Sequence, residues 1–170
     1  MDPDQLQPGA PALAEALAHG DAPQRLGAAQ ELARRGPEAQ PAALALVRAS
    51  ADAEEEVRQW ATAALEELGP PRQEDMGGLL WLLADANADV GYWAATLLGR
   101  LEQAAESAVP ALSAAVAKSE HAAVRERAAW ALGRIGPAAK ASLPGLRAAA
   151  ARGEARLARL AQEAIENIGR

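Results

Sequence analysis

The sequence predicts an all-helical repeat solenoid of about five stacked helix pairs, and three observations carry that prediction. The first is a spacing. In Val124–Gly136 (V-R-E-R-A-A-W-A-L-G-R-I-G), Val124, Ala128, Ala131, Leu132 and Ile135 fall on one stripe of a 3.6-residue helix, and Gly136 stands where a left-handed turn can end it. The second is recurrence: the closing position falls at Gly36, Gly69, Glu102, Gly136 and Gly169, always 33 or 34 residues apart. The third is register. The Leu132 column reads Leu32, Leu65, Leu98, Leu132, Ile165; the Ala128 column reads Ala28, Ala61, Ala94, Ala128, Ala161; the Val124 column reads Gln24, Val57, Val90, Val124, Leu157. Chance does not hold four columns in register over five copies.

Taken in order, residues 1–10 are Pro-rich and polar, a flexible lead-in. Residues 11–170 form a single repeat domain on this reading, because stacked repeats share one continuous core. Its units are 11–36, 37–69, 70–102, 103–136 and 137–170. In the first, Pro11–His19 is a helix with Leu13 and Leu17 one turn apart; Gly20 breaks it and Asp21 caps the next, Pro23–Arg35. Arg35 stands where other copies have Leu or Ile, which weakens burial of that last turn, as suits a terminal repeat. The second unit has a helix over about Ala39–Ala49, a cap at Asp52, and Val57–Leu68. Glu54, Glu55 and Glu56 sit in the first turn, where the helix dipole favours anions. In the third, Pro70-Pro71 enforces a turn before Asp75–Ala84 and Val90–Leu101. Glu102 replaces the terminal Gly there, so this helix is expected to run on or end differently. The fourth pairs Ala104–Lys118 with His121–Ile135, Ser119 being the cap. The fifth pairs Pro137–Ala151 with Glu154–Ile168. On that last helix Arg156, Arg159, Gln162, Glu163 and Glu166 give the polar outer face of a terminal cap. No strand is predicted.

Composition excludes several classes. A net charge of −6 argues against a general binder of nucleic acid or anionic membrane. The charge is uneven: residues 1–102 hold 7 Lys/Arg against 17 Asp/Glu, and residues 103–170 hold 10 against 6. There is no Cys, hence no disulfide, thiolate metal site or cysteine nucleophile, and a reducing, cytoplasmic compartment fits. The acidic start lacks the apolar run of a signal peptide, and no stretch reaches the ~18 apolar residues of a membrane span. His19 and His121 lie three repeats apart, and His19 has only Glu15 at helical spacing, so no metal site is expected. Glu54–Glu56 and Glu66-Glu67 lie on exposed faces, where carboxylates make poor general acids. No Gly-rich phosphate loop precedes a helix. No catalytic residues and no cofactor are expected.

The pattern V-R-x-x-A-x-x-A-L-x-x-I-G resembles HEAT repeats, specifically the short bacterial type named after phycobilisome lyases. It rests on Val57-Arg58, Val124-Arg125, Ala64-Leu65, Ala131-Leu132-Gly133, and on Pro110 and Pro144 at the first helices. The resemblance implies a right-handed superhelix with the second helices lining its concave side. The recurring Arg is not a continuous ladder, since Gly91 and Ala158 stand at its other positions. A paired role is expected for Arg58 and Arg125, with a preceding loop carboxylate such as Asp52.

A second stripe runs beside the core stripe on the second helices and carries Trp60, Trp93, Arg100, Arg127, Trp130 and Arg134, with Tyr92 next to it. Trp and Arg are the side chains most enriched in binding hot spots. These seven residues are the candidate partner-binding site on the concave face, opposed by the reading that the Trp side chains simply fill grooves between Ala-rich helices. Trp81, inside L-L-W-L-L, is expected to be packing. The predicted function is thus a non-enzymatic scaffold that binds an unidentified protein or peptide. The alternatives are a bilin (tetrapyrrole) lyase-like or DNA-glycosylase-like enzyme, and a structural protein that self-associates in a salt-dependent way.

Overall fold

The computed structural model describes residues 8–170. The lead-in therefore lies mostly outside the described residues. These hold ten α-helices and no strand: α1 Ala10–His19, α2 Ala22–Arg35, α3 Ala43–Ala49, α4 Glu55–Glu67, α5 Met76–Leu83, α6 Ala88–Arg100, α7 Val109–Lys118, α8 Ala122–Ile135, α9 Leu143–Ala150 and α10 Ala155–Ile168. Each repeat contributes one pair, as the register requires. The pairs gather into two compact units, one up to Arg72 and one from Gln73 onward, dividing just after Pro70-Pro71.

In the first unit α2 packs on α1 and α4, and α3 on α4. Leu32, Leu46, Val47, Val57, Leu65 and Leu68 form its core. Asp21 caps α2 reciprocally: its carboxylate accepts from the Gln24 amide while the Gln24 side chain accepts from the Asp21 amide, each at 2.9 Å. Arg35 loses less than its charge suggests. Its Nε donates to Glu31 at 3.0 Å, and its side chain stays only 18% exposed, so the stem covers the place that Leu or Ile takes elsewhere.

In the second unit α8 packs between α6 and α10, and α5, α7 and α9 each lie on the second helix of their own pair. The Leu and Ala columns are buried up to the last helix: Leu98, Leu132, Ala94, Ala128 and Ala161 are all at most 1% exposed, while Ile165, which ends the Leu column on α10, is half-buried. Small residues set the spacing. A Cβ on Gly133 of α8 would lie 2.9 Å from the Ala164 Cα of α10, and one on Gly99 of α6 would lie 3.0 Å from the Ala131 Cα of α8.

The joins between repeats differ from expectation. The first helices predicted from Ala39, Ala104 and Pro137 begin as 3-10 turns at Gly36–Ala42, Glu102–Ala108 and Gly136–Ser142, and become α-helical only at Ala43, Val109 and Leu143. Proline is the cause at two of them. Pro110 and Pro144 occupy the first turn of α7 and α9, where a missing N–H costs nothing, so the helix proper starts there. Ala105 and Ala139, at φ/ψ of −93°/21° and −87°/17°, make the bend.

Glu102 resolves the question of how α6 ends. It takes φ +51°, the same left-handed sense as Gly36 (+53°), Gly69 (+72°) and Gly136 (+71°), so α6 stops at Arg100 like its counterparts. A Cβ in that region costs about 1–2 kcal/mol. Glu102→Gly should therefore raise the unfolding free energy by about 1 kcal/mol, the lost exposed ion pair to Arg134 taking little of it back. Thermal unfolding by circular dichroism reads this directly, and an unchanged or lower midpoint would show the position to be unstrained.

Candidate functional site

In the second unit the second helices bring Tyr92 (α6), Arg127 and Trp130 (α8) together. Helical spacing puts Arg127 and Trp130 on one face, three residues apart, and the repeat offset sets Tyr92 opposite them. The Arg127 guanidinium lies 4.4 Å from the Tyr92 ring centre and 4.9 Å from that of Trp130, and it donates to the Tyr92 hydroxyl. Stacking on two rings fixes the plane of the guanidinium. All three side chains are half-buried. With Ala123, Glu126, Arg156 and Leu160 they line a cavity of about 120 Å³. Arg156 reaches over from α10 and forms an ion pair with Glu126, its Nε 3.1 Å from the carboxylate. Ligand pockets for cofactor-sized molecules run to roughly 300–1,000 Å³, so this one suits a single side chain.

Other members of the predicted stripe go elsewhere. Trp93 belongs to the core at 8% exposure, its indole meeting Tyr92 edge-on at 5.4 Å and 90°. The groove-filling reading is the right one for that residue. Trp60, on α4 of the first unit, is 41% exposed. Arg134 pairs with Glu102, both half-exposed, and Arg100 is half-buried; neither lines the cavity. Trp81 reverses its expectation, being 67% exposed. Leu79, Leu82 and Leu83 form the buried stripe of α5, and Trp81 points roughly 160–200° away from Leu79 and Leu83 around the helix. The stripe also left out Ala123, Glu126 and Arg156. Ala123 and Arg156 lie one turn before Arg127 and Leu160, so extending the stripe backwards by four residues finds them.

The recurring Arg is structural, and its ladder starts one rung earlier than expected. Arg25, in the column of Arg58 and Arg125, donates to the Gly20 carbonyl at 3.1 Å, and Nε and Nη2 grip the Asp52 carboxylate at 2.7 and 2.9 Å. Asp52 is thus taken by Arg25, and Arg58 instead donates to the Asp52 and Ala53 backbone carbonyls at 2.7 and 2.9 Å. Arg125 repeats the arrangement, holding the Ser119 and Glu120 carbonyls and, at 2.5 Å, the carboxylate of Glu154 in the next repeat. Each such Arg closes its own inter-helix loop, and Arg25 and Arg125 also reach the loop of the following repeat. Where Gly91 leaves no Arg, the His121 Nε2 bonds the Ala86 carbonyl at 2.9 Å and joins those two loops.

Burial pushes the Asp52 carboxyl up, but the bidentate Arg25 bond, the Glu54 amide and the nearby Arg58 charge outweigh it and hold the group below its ordinary range. A carboxyl lowered by folding stabilises the fold above its unfolded pKa and ceases to do so as pH falls through the folded value. Wild type should therefore lose its margin over Asp52→Asn as pH drops below about 4. Urea midpoints measured from pH 7 to pH 2 would show the two curves converging; parallel curves would mean the pair contributes no charge-dependent stability.

Two larger clefts lie on the first-helix side. One of about 620 Å³ in the first unit runs between α1 and α3, past Glu15, His19, Arg48 and the Arg25–Asp52 pair. One of about 440 Å³ in the second unit runs between α5 and α7, lined mainly by Leu80, Leu83 and alanines. His19 sits 3.7 Å from Glu15 with both side chains over three-quarters exposed. Among the described residues no three His, Cys, Asp or Glu side chains are grouped to hold a metal, and no helix is long and apolar enough to cross a membrane.

Three solved structures place the fold. The chain is similar to the complex of CpcE and CpcF of phycocyanin lyase from Nostoc sp. PCC7120, with 24% identity and a TM-score of 0.65 over 95% of this chain and 65% of that one. It is similar to a designed armadillo repeat protein in complex with the peptide (KR)4, with 18% identity and a TM-score of 0.64 over 93% and 81%. An engineered protein matches with 24% identity and a TM-score of 0.63 over 94% and 79%. No curated protein sequence matches the chain. The family model for HEAT repeats matches residues 77–166, more than half of the chain and nearly all of the second unit. With its all-helical pairs in register at 33–34 residues, the chain belongs to the HEAT-repeat family.

Proposed function

We propose that this HEAT-repeat scaffold is a non-catalytic binding module whose protein partner docks on the second-helix face of the second unit. One observation carries the reading: Tyr92, Arg127 and Trp130, all half-exposed, stand together around a side-chain-sized cavity on the second helices. Aromatic and Arg side chains presented by rigid helices around a pocket are what hot spots consist of. In the first unit, Trp60 offers an exposed indole from the same repeat column. The designed armadillo protein of similar fold is in complex with a peptide, and that precedent supports an extended partner here.

Panning a random peptide display library against wild type and against Arg127→Ala tests the reading. Peptides enriched on wild type should lose most of their retention on the variant, provided both proteins melt alike. Enriched peptides that hold equally well to Arg127→Ala would move the docking face elsewhere.

A further inference from the structure

We infer that the cavity between α6, α8 and α10 takes the carboxylate of an acidic side chain from a peptide partner, received by Arg127 and Arg156. This deepens the proposed function and rests on it.

The argument begins with unused donors. A guanidinium has five N–H groups. Arg127 uses one, on the Tyr92 hydroxyl, and its two ring contacts consume none. Arg156 faces the Glu126 carboxylate through its Nε, in an ion pair at 3.1 Å that leaves its terminal nitrogens available, and its side chain is 69% exposed. Both belong to the cavity wall, where the one carboxylate present, Glu126, is 18% exposed and committed to Arg156. The wall therefore carries two cations against one anion.

Preorganisation comes next. A free arginine loses considerable rotamer freedom when it grips a carboxylate; one already clamped between a phenol and an indole has lost it on folding. The aromatic walls also exclude water from one side, which strengthens a charge-assisted bond. Trp130 and Leu160 supply apolar surface for the methylenes leading to the carboxylate.

Charge selects the class of partner. Nucleic acid is held by several phosphates at once on a basic surface. Here residues 73–170 carry 11 Lys/Arg and 11 Asp/Glu, and two of those cations, Arg127 and Arg156, wall one small cavity. Arg134 and Arg159 on the same helices are already paired, with Glu102 and Glu163. One local positive site on a neutral surface fits one acidic residue of a peptide.

The test is an NMR titration of the nitrogen-15-labelled full chain with four probes. Three are acetylated, amidated octapeptides alternating Leu with Glu, Gln or Lys, and the fourth is an eight-residue oligothymidylate. The Glu peptide should shift the Trp130 indole and Arg127 Nε–H resonances and bind at least about tenfold more tightly than the Gln peptide. Arg127→Lys, which keeps the charge and loses the planar fork, and Arg156→Gln should each remove most of that preference. Equal binding of the Glu and Gln peptides, or preference for Lys, would overturn the carboxylate site while leaving the peptide-binding face intact. Shifts from the oligothymidylate alone would overturn it in favour of phosphate. No shift with any probe would overturn both the site and the face.

Discussion

Trp93→Ala is expected to lower the unfolding free energy by about 3 kcal/mol, the usual range for truncating a buried Trp being ~3–5 kcal/mol. Its 8% exposure means that nearly the whole indole is lost from the interior of the second unit, and with it the edge-on contact to Tyr92. For a unit of this size the loss corresponds to a fall in Tm of roughly 12–24 °C. Trp60→Ala makes the control, since it removes the same side chain from the same repeat column at 41% exposure and should cost less than about 1 kcal/mol. Urea unfolding followed by far-UV circular dichroism separates the two. A Trp93→Ala protein that unfolds with wild type would put that indole outside the core. The contrast also governs how binding experiments are read. Lost binding in a Trp93 variant reports unfolding, whereas Arg127 and Arg156 can be changed with little disturbance of the packed interior.

The divergence of Trp60 and Trp93 shows what one sequence could and could not settle. A 33–34-residue period puts the same side chain in a similar environment, so the Ala column was legible as core throughout and the Leu column up to Ile165 on the last helix, which is half-buried, and the helix pairs followed. Helical angle was equally legible: the 3.6-residue period alone turns Trp81 away from Leu79 and Leu83, and the expectation of packing came from its apolar neighbours in sequence rather than from that angle. The second stripe was not legible in the same way. Its column reads Gly27, Trp60, Trp93, Arg127, Leu160, and periodicity sets the direction of each without saying how much the facing helix covers. The 3-10 joins were hidden because alanine suits both kinds of helix, leaving only the prolines to mark where the α-helix starts. Arg25 escaped notice because its neighbour Gln24 departs from the Val57–Val124 column, although the bonds of Arg25 match those of Arg125.

Gly133→Val should cost about 2 kcal/mol even though valine is the better helix former. Removing a mid-helix glycine gains less than ~1 kcal/mol in propensity. Against this, the first carbon added would stand 2.9 Å from the Ala164 Cα and 3.1 Å from its Cβ, and the nearer of these is backbone that cannot rotate away. Helices α8 and α10 would have to separate, and overpacking of that kind costs ~1–3 kcal/mol before the two further methyls are counted. Gly133→Ala should fall between, its propensity gain and its clash nearly cancelling, and pairing it with Ala164→Gly should recover part of the difference. If Gly133→Val instead stabilises the protein, the two helices stand further apart than 2.9 Å implies. The same column makes the site sensitive to packing. One repeat earlier, a Cβ on Gly99 would meet the Trp130 ring at 2.5 Å, so Gly99→Ala must displace the indole that walls the Arg127 cavity. Gly133 holds α10, which carries Arg156 and Leu160, against α8; Gly99 leaves the room in which Trp130 lies. A glycine column read as close helix packing therefore also sets the width of the cavity, and Gly99→Ala should weaken peptide binding more than its effect on stability would account for.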